Sequence, residues 1–139
     1  MLACKAYARK LTLVSLAVVL LLGVSCSAAE TPEEAYNGYD EALADGAIER
    51  GWIPEWLPET AVDIREKHDL DSNTSILAFD SGESFVVPEN CQAATETPKA
   101  SLSASWWPDS EVSELPIYDC GDGLLAVEEA GVRVYYWRP

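Results

Sequence analysis

The chain has 139 residues, with 24 Asp and Glu against nine Lys and Arg, a net charge of −15. That length allows one domain with a modest core. The acidity excludes nucleic acid as a partner, because so few cations cannot neutralise a phosphate backbone, and it disfavours anionic lipid headgroups for the same reason.

The first segment reads as an export signal. Lys5, Arg9 and Lys10 form a basic n-region ahead of an apolar run from Leu11 to Val24. As a helix that run spans about 21 Å, short of the roughly 30 Å hydrocarbon core, so a cleaved signal fits better than a permanent span. Gly23-Val24-Ser25-Cys26 resembles a bacterial lipobox, with Gly23 where leucine is usual. The resemblance implies a lipoprotein signal peptide over 1–25, cleavage before Cys26, and acyl chains such as palmitate on the Cys26 sulfur. More than one chain would anchor the protein firmly in a membrane. Residues 26–31 then form a lipid-anchored linker, and 32–139 a single domain in the cell envelope facing the periplasm. Ser27 after the lipid cysteine resembles an outer-membrane sorting signal of enterobacteria. The alternative is an ordinary secretory signal cut near Ser27-Ala28-Ala29.

On this reading Cys4 leaves with the signal and Cys26 takes the lipid. Cys91 and Cys120 remain, in an oxidising compartment where a disulfide is expected. The part after Ser25 carries six basic and 24 acidic residues, a net −18. This balance keeps the domain soluble and favours a basic protein partner or a cation.

The mature chain opens on a helix signal. Thr31-Pro32-Glu33-Glu34 offers an N-cap, a proline at N1 and a glutamate at N3. Tyr36, Tyr39, Leu43 and Ala47 supply an apolar stripe, which predicts a helix over Pro32–Ile48 with a weak point at Gly38 and an exit at Gly51. Pro54 and Pro58 then hold Gly51-Trp52-Ile53-Pro54-Glu55-Trp56-Leu57-Pro58 as a stiff apolar connector. Alternation predicts strands over Ala61–His68 and Thr74–Asp80 around a turn at Asp69–Asn73; a short helix over Pro58–Lys67 competes for the first of these. Gln92–Ser105 has no period and reads as an exposed loop, pinned back by Trp106-Trp107-Pro108. Ile117–Cys120, Leu124–Glu128 and Val132–Trp137, separated by tight turns, predict a three-strand meander. The expected class is α+β: an N-terminal helix packed on a small, mainly antiparallel sheet made of the hairpin and the meander.

Few residues suggest chemistry. Asp69, Asp71 and Asn73 have the 1-3-5 spacing of a calcium loop with Asp80 at position 12. Position 6, however, is Thr74 where glycine is needed, and the flanks read as strands. These are weak metal candidates, and a structural turn accounts for them. His68 falls on the Val62 and Ile64 side of its strand, as a hydrogen-bonded, partly buried histidine, and no nucleophile elbow or second histidine accompanies it. Trp52, Trp56 and Trp137 are expected inside the domain. Alternation buries one of Trp106 and Trp107 and exposes the other, which makes that pair a weak candidate for ligand binding. No cofactor is implied.

One run carries a family resemblance. Gly51-Trp52-Ile53-Pro54, Leu57-Pro58, Ala61, Ile64 and His68-Asp69-Leu70-Asp71-x-Asn73 resemble the YbbD head domain family of small bacterial proteins, often lipoproteins. Trp106-Trp107-Pro108 and Tyr135-Tyr136-Trp137 look like later landmarks, so that the likeness runs from about Gly38 to Arg138. The resemblance implies a fold type and supplies no reaction. The expected function is a non-enzymatic, acidic interaction domain on an envelope lipoprotein. The alternatives are a periplasmic hydrolase using carboxylates and His68, and a cation-binding module at Asp69–Asn73.

Overall fold

The computed structural model describes residues 30–128 and 130–139. The expected signal peptide and Cys26 lie outside the described residues.

Period-two segments become strands, and they assemble into a single sheet. The elements are β1 (Glu33–Gly38), α1 (Tyr39–Asp45), β2 (Val62–His68), β3 (Ser75–Asp80), β4 (Gln92–Ala93), α2 (Asp109–Val112), β5 (Ile117–Asp119), β6 (Leu124–Val127) and β7 (Arg133–Arg138). The spatial order is β1-β2-β3-β7-β6-β5-β4, and every neighbouring pair is antiparallel. The predicted hairpin and meander are therefore two halves of one sheet. They join where β3 pairs with β7, from Ser75 opposite Arg138 to Asp80 opposite Arg133.

Both faces of the sheet are covered. On the first face Tyr36, Ile64, Leu77, Phe79, Leu125, Val134 and Tyr136 pack under Ala42 of α1 and under Ala47, Ile53 and Leu57 of the segment that follows it. Pro54 and Pro58 hold that segment in non-helical, non-strand form, so Ile53 and Leu57 drop onto the sheet as anchors. On the second face Ile76, Ala78, Leu124, Ala126, Tyr135 and Trp137 pack under Trp107 and Val112. Central strand β3 is accordingly buried from Ser75 through Phe79.

Several expectations need correction. The helix over Pro32–Ile48 does not form across its first half. Glu33–Gly38 is instead an edge strand paired with β2, from Glu33 opposite Lys67 to Gly38 opposite Val62. Helix propensities differ by under ~1 kcal/mol per residue, and strand pairing gains more: Tyr36 becomes only 6% exposed, and its hydroxyl donates to Asp45 at 2.9 Å. Gly38 is fully extended (φ −167°, ψ 178°), so only the second half of the stripe turns into α1, and Leu43 stays exposed. The helix ends earlier than expected, at left-handed Gly46 (φ 80°). There Gly46 N–H donates to Leu43 and Ala47 N–H to Ala42, the Schellman pattern.

Gln92–Ser105 is not a free loop. Its start forms β4, and Ala94, Ala100, Leu102 and Ala104 lie against the second-face core. Trp137 fastens it, donating its indole N–H to Pro98 O at 2.9 Å. Val62 does not share the inner side with Ile64 and His68. An irregularity between Val62 and Arg65, with Asp63 at φ 46°, shifts the register against β3, and Val62 is exposed. Trp137 is inside as expected, whereas Trp52 and Trp56 are half-buried.

Gly123 is required by packing. A Cβ there would stand 2.5 Å from the ring and the hydroxyl of Tyr136, a side chain with no exposed surface. Gly123→Ala is therefore expected to destabilise the domain by about 1–3 kcal/mol, the usual range for overpacking, as read by urea unfolding.

Candidate functional site

The one histidine sits in a layered cluster at the β1–β2 end of the first face. Alternation along β2 places Ile64, Glu66 and His68 inward. Glu66 is 0% and His68 4% exposed, and His68 Nδ1 lies 2.9 and 3.1 Å from the two carboxylate oxygens of Glu66. The apolar connector supplies the lid. Trp52 stacks on the imidazole with ring centroids 4.1 Å apart and planes 26° from parallel. The Arg50 guanidinium lies 3.8 Å from the centre of the Trp52 ring, a cation–π contact. Arg50 is held in turn by Asp45, at 2.7 Å to the carboxylate and 2.7 Å to the backbone carbonyl.

The electrostatics follow from burial. Loss of water pushes the Glu66 carboxyl above its usual range, against the opposing pull of His68 and Arg50. Burial likewise raises the Tyr36 hydroxyl well beyond the tyrosine range, with the Asp45 carboxylate adding to it. Asp45 is held below the usual carboxylate range by the Tyr36 hydroxyl and by Arg50. The result is a chain of contacts from β1 through α1 and the connector to β2. It can clamp the connector to the sheet. A general base must come within hydrogen-bond reach of a substrate proton, and neither member of the buried pair presents a face to solvent. His68 Nε2 is buried without a protein partner.

The other expected site residues are placed as follows. Asp69 closes the β2–β3 turn: its Oδ1 accepts from the N–H groups of Asp71 and Ser72 at 2.8 and 2.9 Å. Those bonds, Ser72 first, hold its carboxyl below the usual range. Asn73 takes the left-handed position at φ 60°. This is the hydrogen-bonded turn that the residue types favour. Cys91 and Cys120 form the expected disulfide, with Cα atoms 4.0 Å apart. Trp107 is buried as one of the pair was expected to be, but Trp106 is half-buried rather than exposed. The Trp106 indole N–H donates to Glu33 at 2.6 Å, which ties the ring to β1.

Glu66 is the residue that the sequence reading passed over. The period that put Ile64 and His68 on one face puts Glu66 between them, so its inward position was readable. That a carboxylate would be tolerated there depends on Trp52 and Arg50 arriving from elsewhere in the chain.

Residues 30–80 match the family model of the YbbD head domain. The match spans β1 through β3. The Trp106–Pro108 and Tyr135–Trp137 landmarks lie outside it. No curated protein and no solved structure gives a significant match.

Two outcomes test this geometry. An unfolded glutamate titrates near 4.3, and Glu66 titrates higher in the fold, so the fold favours its protonated form. Its stabilising balance is complete below pH ~4.3 and is lost as pH rises through the raised value. Glu66→Gln should therefore gain stability relative to wild type as pH rises above ~4.3 in urea unfolding; a wild type that gains on the variant instead would show the His68 attraction outweighing burial. Separately, opening the disulfide with Cys91→Ser or Cys120→Ser should lower stability by about 2–4 kcal/mol.

Proposed function

With a YbbD head domain at residues 30–80, we propose that the chain is a bacterial envelope lipoprotein whose acidic domain is a non-enzymatic interaction module for a basic protein. The observation that carries this reading is the fate of the cations. Arg50, Arg65, Lys67, Arg133 and Arg138 each form an ion pair within the domain. Of the six basic residues after Ser25, only Lys99 has no ion-pair partner among the described residues. The positive charge is thus spent internally, and the surplus of carboxylates faces solvent. Such a field steers a basic partner and repels a phosphate or an anionic lipid surface.

The lipobox-like Gly23–Cys26 supports a lipid anchor at Cys26, with a short linker to β1 that keeps the domain near the membrane. Among the described residues no helix is long and apolar enough to cross a membrane. Placement in the outer membrane follows the serine at position 27 if the source has two membranes.

Metabolic labelling with a fatty-acid analogue tests the anchor. Wild type should incorporate the label and stay with membranes after carbonate washing, and Cys26→Ala should lose both properties. A variant that remains membrane-bound would make the apolar Leu11–Val24 run the anchor and remove the lipoprotein reading.

A further inference from the structure

The two edges of the sheet are unlike. At one edge β4 has two residues, and so short a strand offers little to pair with. At the other edge β1 has six. His68 N–H donates to Pro32 O at 3.2 Å, which sets the alternation along β1. With Glu34 opposite Glu66 and Tyr36 opposite Ile64, Glu34 and Tyr36 aim their backbone groups at β2. Glu33, Ala35 and Asn37 aim theirs away from the sheet. The Asn37 N–H is capped from within the chain, donating to the Glu41 carboxylate of α1 at 2.7 Å. The same oxygen accepts from the Asn37 side chain at 2.9 Å. Glu33 and Ala35 are exposed, and among the described residues no backbone group pairs with their outward N–H and C=O groups.

We infer that the outer edge of β1 takes up an extended, lysine- or arginine-bearing segment of another protein as an added strand. The inference rests on the interaction module proposed above and gives it a contact surface. The outward backbone groups of Glu33 and Ala35 supply the pairing, at the spacing another strand requires.

Charge selects the occupant. Tyr36 faces the first-face core, and Glu34, two residues before it, lies on the same side of β1. Glu34 is exposed and has no ion-pair partner among the described residues. A lysine or arginine on that side of an added strand comes within cross-strand reach of it. The cations of β2 do not compete, since Arg65 pairs with Asp63 and Lys67 with Glu33. A second copy of this chain would bring a further 24 carboxylates against few cations, and a phosphorylated segment would be repelled in the same way.

The test uses the whole chain in detergent and a fluorescein-labelled peptide of alternating lysine and valine, read by anisotropy at low salt. Beside it runs the same peptide N-methylated throughout, which keeps the charge and has no backbone donor. Wild type should bind the plain peptide about tenfold or more tighter than the methylated one, and amide exchange at Glu33 and Ala35 should slow when it binds. Ala35→Pro removes an outward N–H and no bond to β2, so it should lose that preference; Ala35→Val keeps the donor and should retain it. Equal binding of the two peptides by wild type, or unchanged exchange at Glu33 and Ala35 with the plain peptide bound, would assign the attraction to the general field. Either result would overturn the edge, whether or not the proline variant folds, and would leave the interaction module standing. Binding of neither peptide would overturn both. Self-association of wild type that Ala35→Pro abolishes, with no preference between the peptides, would replace the basic segment with a second copy.

Discussion

Burial of β3 on both faces is the constraint from which the rest of the structure follows. The run Ser75-Ile76-Leu77-Ala78-Phe79 has no face for water, whereas an antiparallel strand commonly leaves one side solvated. It must therefore lie between two ladders and under two covers. β2 and β7 provide the ladders. The covers come from segments with little regular structure: α1 with its proline-stiffened connector on one side, and the region from β4 to α2 on the other. A small sheet that buries both faces needs large anchors, and the tryptophans and tyrosines fill that role.

The two covers are held by different physics. On the first face the connector brings Ile53 and Leu57 into the core and sets Trp52 across His68. The cost of burying Glu66 is offset in part by its hydrogen bond to His68 and, more weakly, by the charge of Arg50. A buried charged pair of this kind is weak evidence for stability, because desolvation can exceed attraction. Its evident effect is positional, since it fixes where the connector meets β2. The second face is held by edge-to-face aromatic contacts. Trp107 meets Tyr135 at 5.7 Å and Trp137 at 6.0 Å, geometry favoured by the ring quadrupoles.

Charge is arranged with equal economy. Arg133 bridges Asp63 and Asp80, at 3.1 Å each, across the register shift in β2, so one cation steadies the bulge and the β3–β7 seam together. Arg138 does the same between the connector and the turn after β5. Five of the six basic residues after Ser25 are paired with carboxylates of the domain, several of them at the surface, so the excess of acidic side chains is left without a counter-charge. Structure and proposed recognition thus rest on the same few side chains.

What the sequence determined by itself is what neighbouring residues decide. Alternation marked β2, β3 and β5 to β7, and Asp69–Asn73 marked its turn, because side-chain direction along a strand is set by local backbone geometry. Cysteine count and expected compartment paired Cys91 with Cys120. The tertiary structure decided what depends on partners distant in the chain. Thr31–Glu34 has the local chemistry of a helix start, and only the free edge of β2 could turn it into β1. The segment from Ala94 to Ala104 has no period because irregular backbone imposes none, and only the sheet beneath it shows that it is a cover. Glu66 could be placed inward from spacing alone. That a carboxylate can remain there was decided by Trp52, Arg50 and His68, brought together by the connector, since the energy of a buried charge depends on every group around it and not on its neighbours in sequence.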